Sequence, residues 1–359
     1  MRKLFRDFYD RYFHDEESII LLILLTCGLV ILATLGGVLA PLITAIIIAY
    51  LMQGLVNLLV RYHVKPLLAF VLVYALFVSI FLGILLILMP QVWIQMARFV
   101  NELPRLIGQW QASLLLLPDA YPNLITDDQI RELINGLRGE LAAFGQLMVT
   151  YSITSIPVFV TWIIFIVLVP ILVFFVMKDK DQLVSWTENF LPRNRPLMTR
   201  IWQEMDQQIA NYIRGKVVEI IIMGSVSYIV FTVLQINYAL LLSVLVAFSV
   251  LIPYIGATVV TIPVAAVAYV QWGLSGDFYT VLLAYAIMQL IDGNMLVPII
   301  FSEAVNLHPV AIIAAVLVFG GLWGLAGVFF AIPLATLIKA IVNAWPSRVQ
   351  SRADRSGRN

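Results

Sequence analysis

Charge is scarce in this chain. Only 12% of its 359 residues are Asp, Glu, Lys or Arg, against about a quarter in a typical soluble domain. Cys27 is the only cysteine, which excludes a disulfide framework and a thiolate metal site. His14, His63 and His308 lie far apart without ligand spacing. With 22 Lys+Arg against 21 Asp+Glu there is no basic surplus to hold nucleic acid. No P-loop, Ser/His/Asp grouping, haem spacing or metal cluster occurs, so no enzyme, cofactor or ATPase is expected. What remains is apolar: 62% of residues, with a mean hydropathy of +0.96.

The apolar residues fall in blocks at 19–35, 37–60, 67–92, 150–177, 217–236, 239–272, 278–300 and 310–343. About 20 apolar residues cross a hydrocarbon core, and a span in lipid must close its own backbone hydrogen bonds as a helix. The fold class expected is therefore all-α: a polytopic helical membrane protein of about eight spans, with short amphipathic helices outside the bilayer. No small-residue cleavage site follows the first block, which reads as a retained span rather than a signal peptide.

Two blocks are too long for one straight crossing. Residues 239–272 contain Pro253, Gly256 and Pro263; residues 310–343 contain Gly320, Gly321, Gly324, Gly327 and Pro333. Each is either one kinked helix or a pair of short helices joined at its glycines. Ile262-Pro263-Val264-Ala265 also echoes Ile332-Pro333-Leu334-Ala335, and paired interrupted segments point to a transporter's binding region. Pro253, Gly256, Gly320, Gly321 and Gly324 are the hinge candidates.

Basic residues set orientation. Four precede the first block, two lie in the turn Arg61–Lys65, seven in 178–216 and five from Lys339 onward, while 93–149 has four against six acids. This distribution predicts both termini in the cytoplasm and 93–149 outside it. The organisation is then an N-terminal membrane part (1–92, three spans), an extracytoplasmic amphipathic segment (93–149), a fourth span (150–177), a cytoplasmic basic linker and amphipathic helix (178–216), a C-terminal membrane part with broken helices (217–345) and a cytoplasmic tail (346–359). Trp93, Met96, Val100, Leu103, Ile107, Trp110 and Leu114 make one helical stripe in 93–149; Ile130, Leu133, Leu137, Leu141 and Met148 make another. They form either a self-packed cap or a subunit contact.

From Val217 to Ile338 no lysine or arginine occurs, and the charged residues there are Glu219, Asp277, Asp292 and Glu303. A carboxylate at membrane depth without a cationic partner must stay protonated, face water or hold a cation. Asp292 is the leading candidate for a transport site, with Gln289, Asn294 and Tyr254 supplying hydrogen bonds. Gly293 and Pro298 loosen its helix. Glu303 and His308 lie in a short connection that is either a mouth or a solvated loop. Glu219 snorkels to the interface, and Asp277 in its turn is structural.

Several strings complete the reading: Val176-Met177-Lys178-Asp179-Lys180, Leu191-Pro192-Arg193-Asn194-Arg195, Asn211-Tyr212-Ile213-Arg214-Gly215-Lys216, Ile252-Pro253-Tyr254-Ile255-Gly256-Ala257, Asp292-Gly293-Asn294, Ser302-Glu303-Ala304-Val305-Asn306-Leu307-His308-Pro309 and Phe319-Gly320-Gly321-Leu322-Trp323-Gly324. With these the chain resembles the autoinducer-2 exporter family, and within it the PerM-type permeases, over nearly its full length. The resemblance implies a bacterial inner-membrane permease or exporter in the lipid bilayer, a homo-oligomer (pentameric in relatives), and a small-molecule or cation substrate. Some members export autoinducer-2 and others exchange sodium or lithium for protons. Three functions stay open: ion- or proton-coupled secondary transport through Asp292, uncoupled diffusion of a small polar solute, and a non-transporting scaffold.

Overall fold

The computed structural model describes residues 16–115, 136, 155–192, 195–253, 255–301 and 307–344. Tyr254, Glu303 and Asn306, the second stripe of 93–149 and both chain ends lie outside the described residues. Every regular element described is helical: α1 Glu16–Arg61, α2 Pro66–Gly83, α3 Met89–Leu115, α4 Ser155–Lys178, α5 Lys180–Glu188, α6 Pro196–Val233, α7 Ala239–Ser249, α8 Ile255–Trp272, α9 Gly276–Ile291, α10 Val297–Phe301 and α11 Pro309–Ala344. Two widened π-turns, Ile84–Leu88 and Asp292–Leu296, join α2 to α3 and α9 to α10. Among the described residues five helices are long and apolar enough to cross a bilayer, or six if α4 and α5, bent by 75° at Asp179, count as one span.

Two boundaries differ from the sequence expectation. Blocks 19–35 and 37–60 join in the single 46-residue helix α1. No polar turn separates them, and Gly36-Gly37 does not break the helix. The linker helix expected to stop near Lys216 and the span expected from Val217 are likewise one helix, α6. Its amphipathic half runs into its apolar half without an interruption, and Gly215 and Gly224 serve as packing points along it: a methyl on Gly215 would come within 2.6 Å of Phe301, and one on Gly224 within 3.0 Å of Ala247. At the start of α6, Pro196 occupies the first turn and the Met198 amide donates to Glu17 of α1 at 2.7 Å, an acid set against the positive helix end.

Both long blocks resolve into helical hairpins. Helices α7 and α8 fold back after Ser249, in the turn that begins at residues 250–253. The return is so tight that a Cβ on Gly256 would overlap the Ser249 carbonyl. Helix α11 is two arms, Pro309–Gly324 and Gly327–Val342, turned at Gly324 with φ 59° and ψ −137°. There a Cβ on Gly327 would overlap the Phe319 carbonyl, and one on Gly320 would come within 2.8 Å of Val328. Of the hinge candidates, Gly256, Gly320 and Gly324 thus sit at turns or close approaches, and Pro253 lies in the first turn, its carbonyl accepting from the Ile255 amide at 2.7 Å. Gly321 meets nothing within 4 Å.

The core has two main parts. Helices α1, α2 and α4 pack around Ala45, Ala49, Val73, Phe77, Val169 and Val173. Helices α6 to α9 pack around Phe231, Leu242, Val246, Val264, Val281 and Tyr285. They meet along α1 and α6, where Ile47 and Leu51 pack on Tyr212, Ile213 and Phe301, and where Tyr50 Oη donates to Asp206 at 2.9 Å.

Candidate functional site

The hairpins enter from opposite ends of α6. The first runs in from the α6 C-terminus, placing Val250 beside Lys216. The second runs in from the N-terminal end: Ala340 packs with Met198 and Ile201, and Phe329, nearer the tip, reaches Tyr212. The tips converge on one turn of α6. There Tyr212 Oη donates to the Phe329 carbonyl at 3.1 Å, and Lys216 Nζ donates to the Val250 carbonyl at 2.8 Å. Each bond answers a polar need that lipid cannot meet: Val250 caps the C-terminal end of α7, and Phe329 stands four residues before Pro333, which has no amide to offer its carbonyl. Val250 is also the negative end of α7, where a cation is favoured. The Phe301 ring lies between the two side chains, 5.9 Å from the Tyr212 ring and 5.2 Å below Lys216 Nζ.

Lys216 has a second task. Its Nζ donates to Glu219 Oε2 at 2.7 Å, with side chains only 6% and 2% exposed. Asp292 lies within electrostatic reach of both Lys216 and Glu219. This overturns two sequence expectations. Asp292 does have a basic neighbour; Lys216 stands one residue before the stretch that lacks cations. Glu219 does not snorkel outward but faces this cluster, because α6 continues inward at that point.

Asp292 is buried, and its Oδ1 has no hydrogen-bond partner; Gln289, three residues earlier, is half-buried, with its Nε2 shielded from solvent and its side chain beside the Tyr285 phenol. Orphan polar atoms of this kind are uncommon in native proteins. Asp292 opens the π-turn Asp292–Leu296, a feature found at functional sites, and Pro298, which lacks an amide, follows it. Tyr285, one turn further back, donates to the Ala257 carbonyl at 2.8 Å, tying α9 to α8. The structure therefore groups Asp292 with Lys216, Glu219 and Tyr212, and sets Gln289 beside Tyr285.

It does not bring in the other two described candidates. Asn294 is exposed and donates to the Leu290 carbonyl of its own helix at 2.9 Å. His308 is exposed, and its Nδ1 accepts from the Val310 amide at 3.3 Å at the start of α11. Its described role is to cap a helix end.

Comparison with known sequences fixes the relationship. A family model described as "AI-2E family transporter" matches residues 19–347. The chain belongs to the AI-2E transporter family. It is 44% identical over 346 residues to "Putative permease PerM" of Escherichia coli (strain K12), covering 96% of this chain and 98% of the relative. It is 25% identical over 320 residues to "AI-2 transport protein TqsA" of the same strain, covering 89% and 88%. It is also 25% identical over 280 residues to "Putative transport protein YueF" of Bacillus subtilis (strain 168), covering 75% of each. This AI-2E transporter is a multi-pass membrane protein. Within it, sequence reasoning missed Tyr212 and Lys216, which the hydropathy boundary assigned to a linker. The spacing Tyr212, Lys216, Glu219 was the available signal, since i, i+4 and i+3 steps place all three on one helical face.

Proposed function

We propose that this AI-2E transporter is a secondary permease in which the cluster at the hairpin tips holds an exchangeable cation, a proton or an alkali ion, whose binding is coupled to movement of a small solute. The observation that carries this reading is the charge of the cluster. Two carboxylates, Glu219 and Asp292, share one ammonium, Lys216, so ionisation of both leaves one negative charge uncompensated. A net charge at membrane depth is costly, and one bound cation removes it. The unpartnered Oδ1 of Asp292 is the acceptor such a cation would use. Exchange of sodium or lithium for protons fits the same cluster.

The arrangement of basic residues supports an inner-membrane placement with both termini cytoplasmic, and the family resemblance supports a homo-oligomer, pentameric as in relatives. The test is flux in proteoliposomes with proton and sodium gradients imposed independently. Asp292→Asn should fold yet lose the pH dependence of flux, and undiminished, equally pH-dependent flux in that variant removes Asp292 from the mechanism.

The half-buried amide of Gln289, with its Nε2 shielded from solvent beside the Tyr285 phenol, favours a second reading: uncoupled diffusion of a small hydroxylated solute such as autoinducer-2. Flux that ignores both gradients but falls in Gln289→Leu selects it over the first.

A further inference from the structure

A second polar site lies at the other end of the C-terminal core. Helix α6 passes into α7 through the turn 234–238, where two non-glycine residues have left-handed backbones, Gln235 at φ 55° and Tyr238 at φ 60°. Such conformations cost about 1 kcal/mol or more and persist only where neighbours enforce them. Here two glutamines do so. From α8, Gln271 accepts from the Asn237 amide at 2.7 Å and donates to the Gln235 carbonyl at 2.8 Å. From α3, Gln95 accepts from the Leu241 amide at 2.9 Å.

The stapled turn presents Tyr238 and Asn237 to the polar stripe of α3. Two adjoining clefts, about 210 and 290 Å³, lie between them, both lined by Glu102, Asn237 and Tyr238; one adds Arg105 and the other Arg98. Arg98, Glu102 and Arg105 follow at helical spacing, so two guanidinium groups flank one carboxylate and the stripe carries a net positive charge. Arg98 makes no ion pair among the described residues, and Arg105 reaches Glu102 only at 3.9 Å. Both arginines act electrostatically on the Tyr238 phenol, which burial, aided by a hydrogen bond to Glu102, pushes up to about 12; the hydroxyl therefore remains protonated at neutral pH. A turn below Arg98, Trp93 is 74% exposed, the residue type that marks the lipid–water boundary.

We propose that the two adjoining clefts between α3 and the 234–238 turn form a binding site for a phosphate group, with Arg98 approaching it from one cleft and Arg105 from the other. Guanidinium pairs suit this ligand because each supplies parallel N–H donors to the phosphate oxygens. The clefts are too small for acyl chains but accommodate a phosphorylated headgroup. Two sources share the chemistry: an anionic phospholipid whose tails lie along the exposed apolar face below, or a free phosphate in solution.

The experiment titrates the detergent-solubilised full chain with short-chain phosphatidylglycerol, short-chain phosphatidylcholine and inorganic phosphate, following bound ligand by native mass spectrometry. The lipid source predicts phosphatidylglycerol bound about tenfold tighter than phosphatidylcholine. Arg98→Gln and Arg105→Gln should each weaken it about fivefold, the effect of one basic side chain near a phosphate. Glu102→Gln should tighten it by removing a repelling charge, an effect no purely structural role would produce. Saturable binding of inorganic phosphate with the same arginine dependence assigns the site to soluble phosphate. Equal binding of the two lipids with no phosphate binding, or affinities indifferent to both arginine substitutions, overturns the proposal. Arg98 is exposed and bridges nothing among the described residues, so its variant leaves the fold intact.

Discussion

Tyr212 and Lys216 stand one helical turn apart on α6, and each holds a backbone carbonyl from a different hairpin, Phe329 from one and Val250 from the other. The two broken segments, distant in sequence, are thus referred to a single helix. Any relative motion of the hairpins must break or carry one of these two bonds.

Removing the first bond tests the pair. Tyr212→Phe keeps the ring against Phe301 and loses only the donor to Phe329. Stability should fall by about 1 kcal/mol, the usual worth of one such hydrogen bond, with more if the carbonyl finds no other donor. Thermal unfolding in detergent measures it, and an unchanged midpoint would show that the bond contributes nothing.

Lys216→Met asks more of the protein, since it leaves Glu219 and Asp292 together without the ammonium. Stranding buried charge in this way costs about 3–5 kcal/mol. Adding Glu219→Gln should recover much of the loss, because the pair is then removed as a pair. A double-mutant cycle on unfolding midpoints gives the coupling, and strictly additive effects would separate the two residues energetically.

The hairpin turns make a sharp prediction about methyl groups. Gly256→Ala and Gly327→Ala each force a Cβ into a backbone carbonyl, so each should destabilise by about 1–3 kcal/mol or prevent folding. Gly321→Ala and Gly293→Ala meet open space and should be neutral or slightly stabilising, since alanine favours helix. Expression yield and melting temperature of the four variants, compared side by side, check the contrast.

Alkaline pH should loosen the 234–238 turn. Tyr238 titrates near 12 when folded and near 10 when unfolded. Its neutral form is therefore favoured by folding; this contribution is complete below pH 10 and disappears as pH rises toward 12. The melting temperature of the wild type should drop more steeply above pH 10 than that of Tyr238→Phe. Parallel curves would show that Tyr238 does not titrate in this way.

Much of this architecture is legible in the sequence. The run 150–177 needs only its hydropathy, and the stripe beginning at Trp93 gives α3 directly. The glycines and prolines of 239–272 and 310–343 announce broken segments, though not whether the chain bends or reverses. That is decided by contacts distant in sequence, such as Gly327 against Phe319. The site is only half legible. Asp292 and Gln289 stand out as polar residues in an apolar block and share a face because they are three apart. Asn294 belongs to the same string but is two residues from Asp292, a step that turns a side chain away from its neighbour. Lys216 is hidden for the opposite reason: a lysine beside an apolar run looks like a boundary, and only its partners, Glu219 and Val250, reveal that it points inward.

The order of these elements along the chain bears on biogenesis. Helix α7 has 11 residues, about 16 Å of helix, roughly half the depth of the hydrocarbon, so its end would strand bare carbonyls in lipid were nothing waiting there. Helix α6 is synthesised before either hairpin, and the side chains that cap the tips are already in place when the tips arrive. A circular permutant that emerges with α6 last should insert poorly, although every native contact remains available to the finished protein.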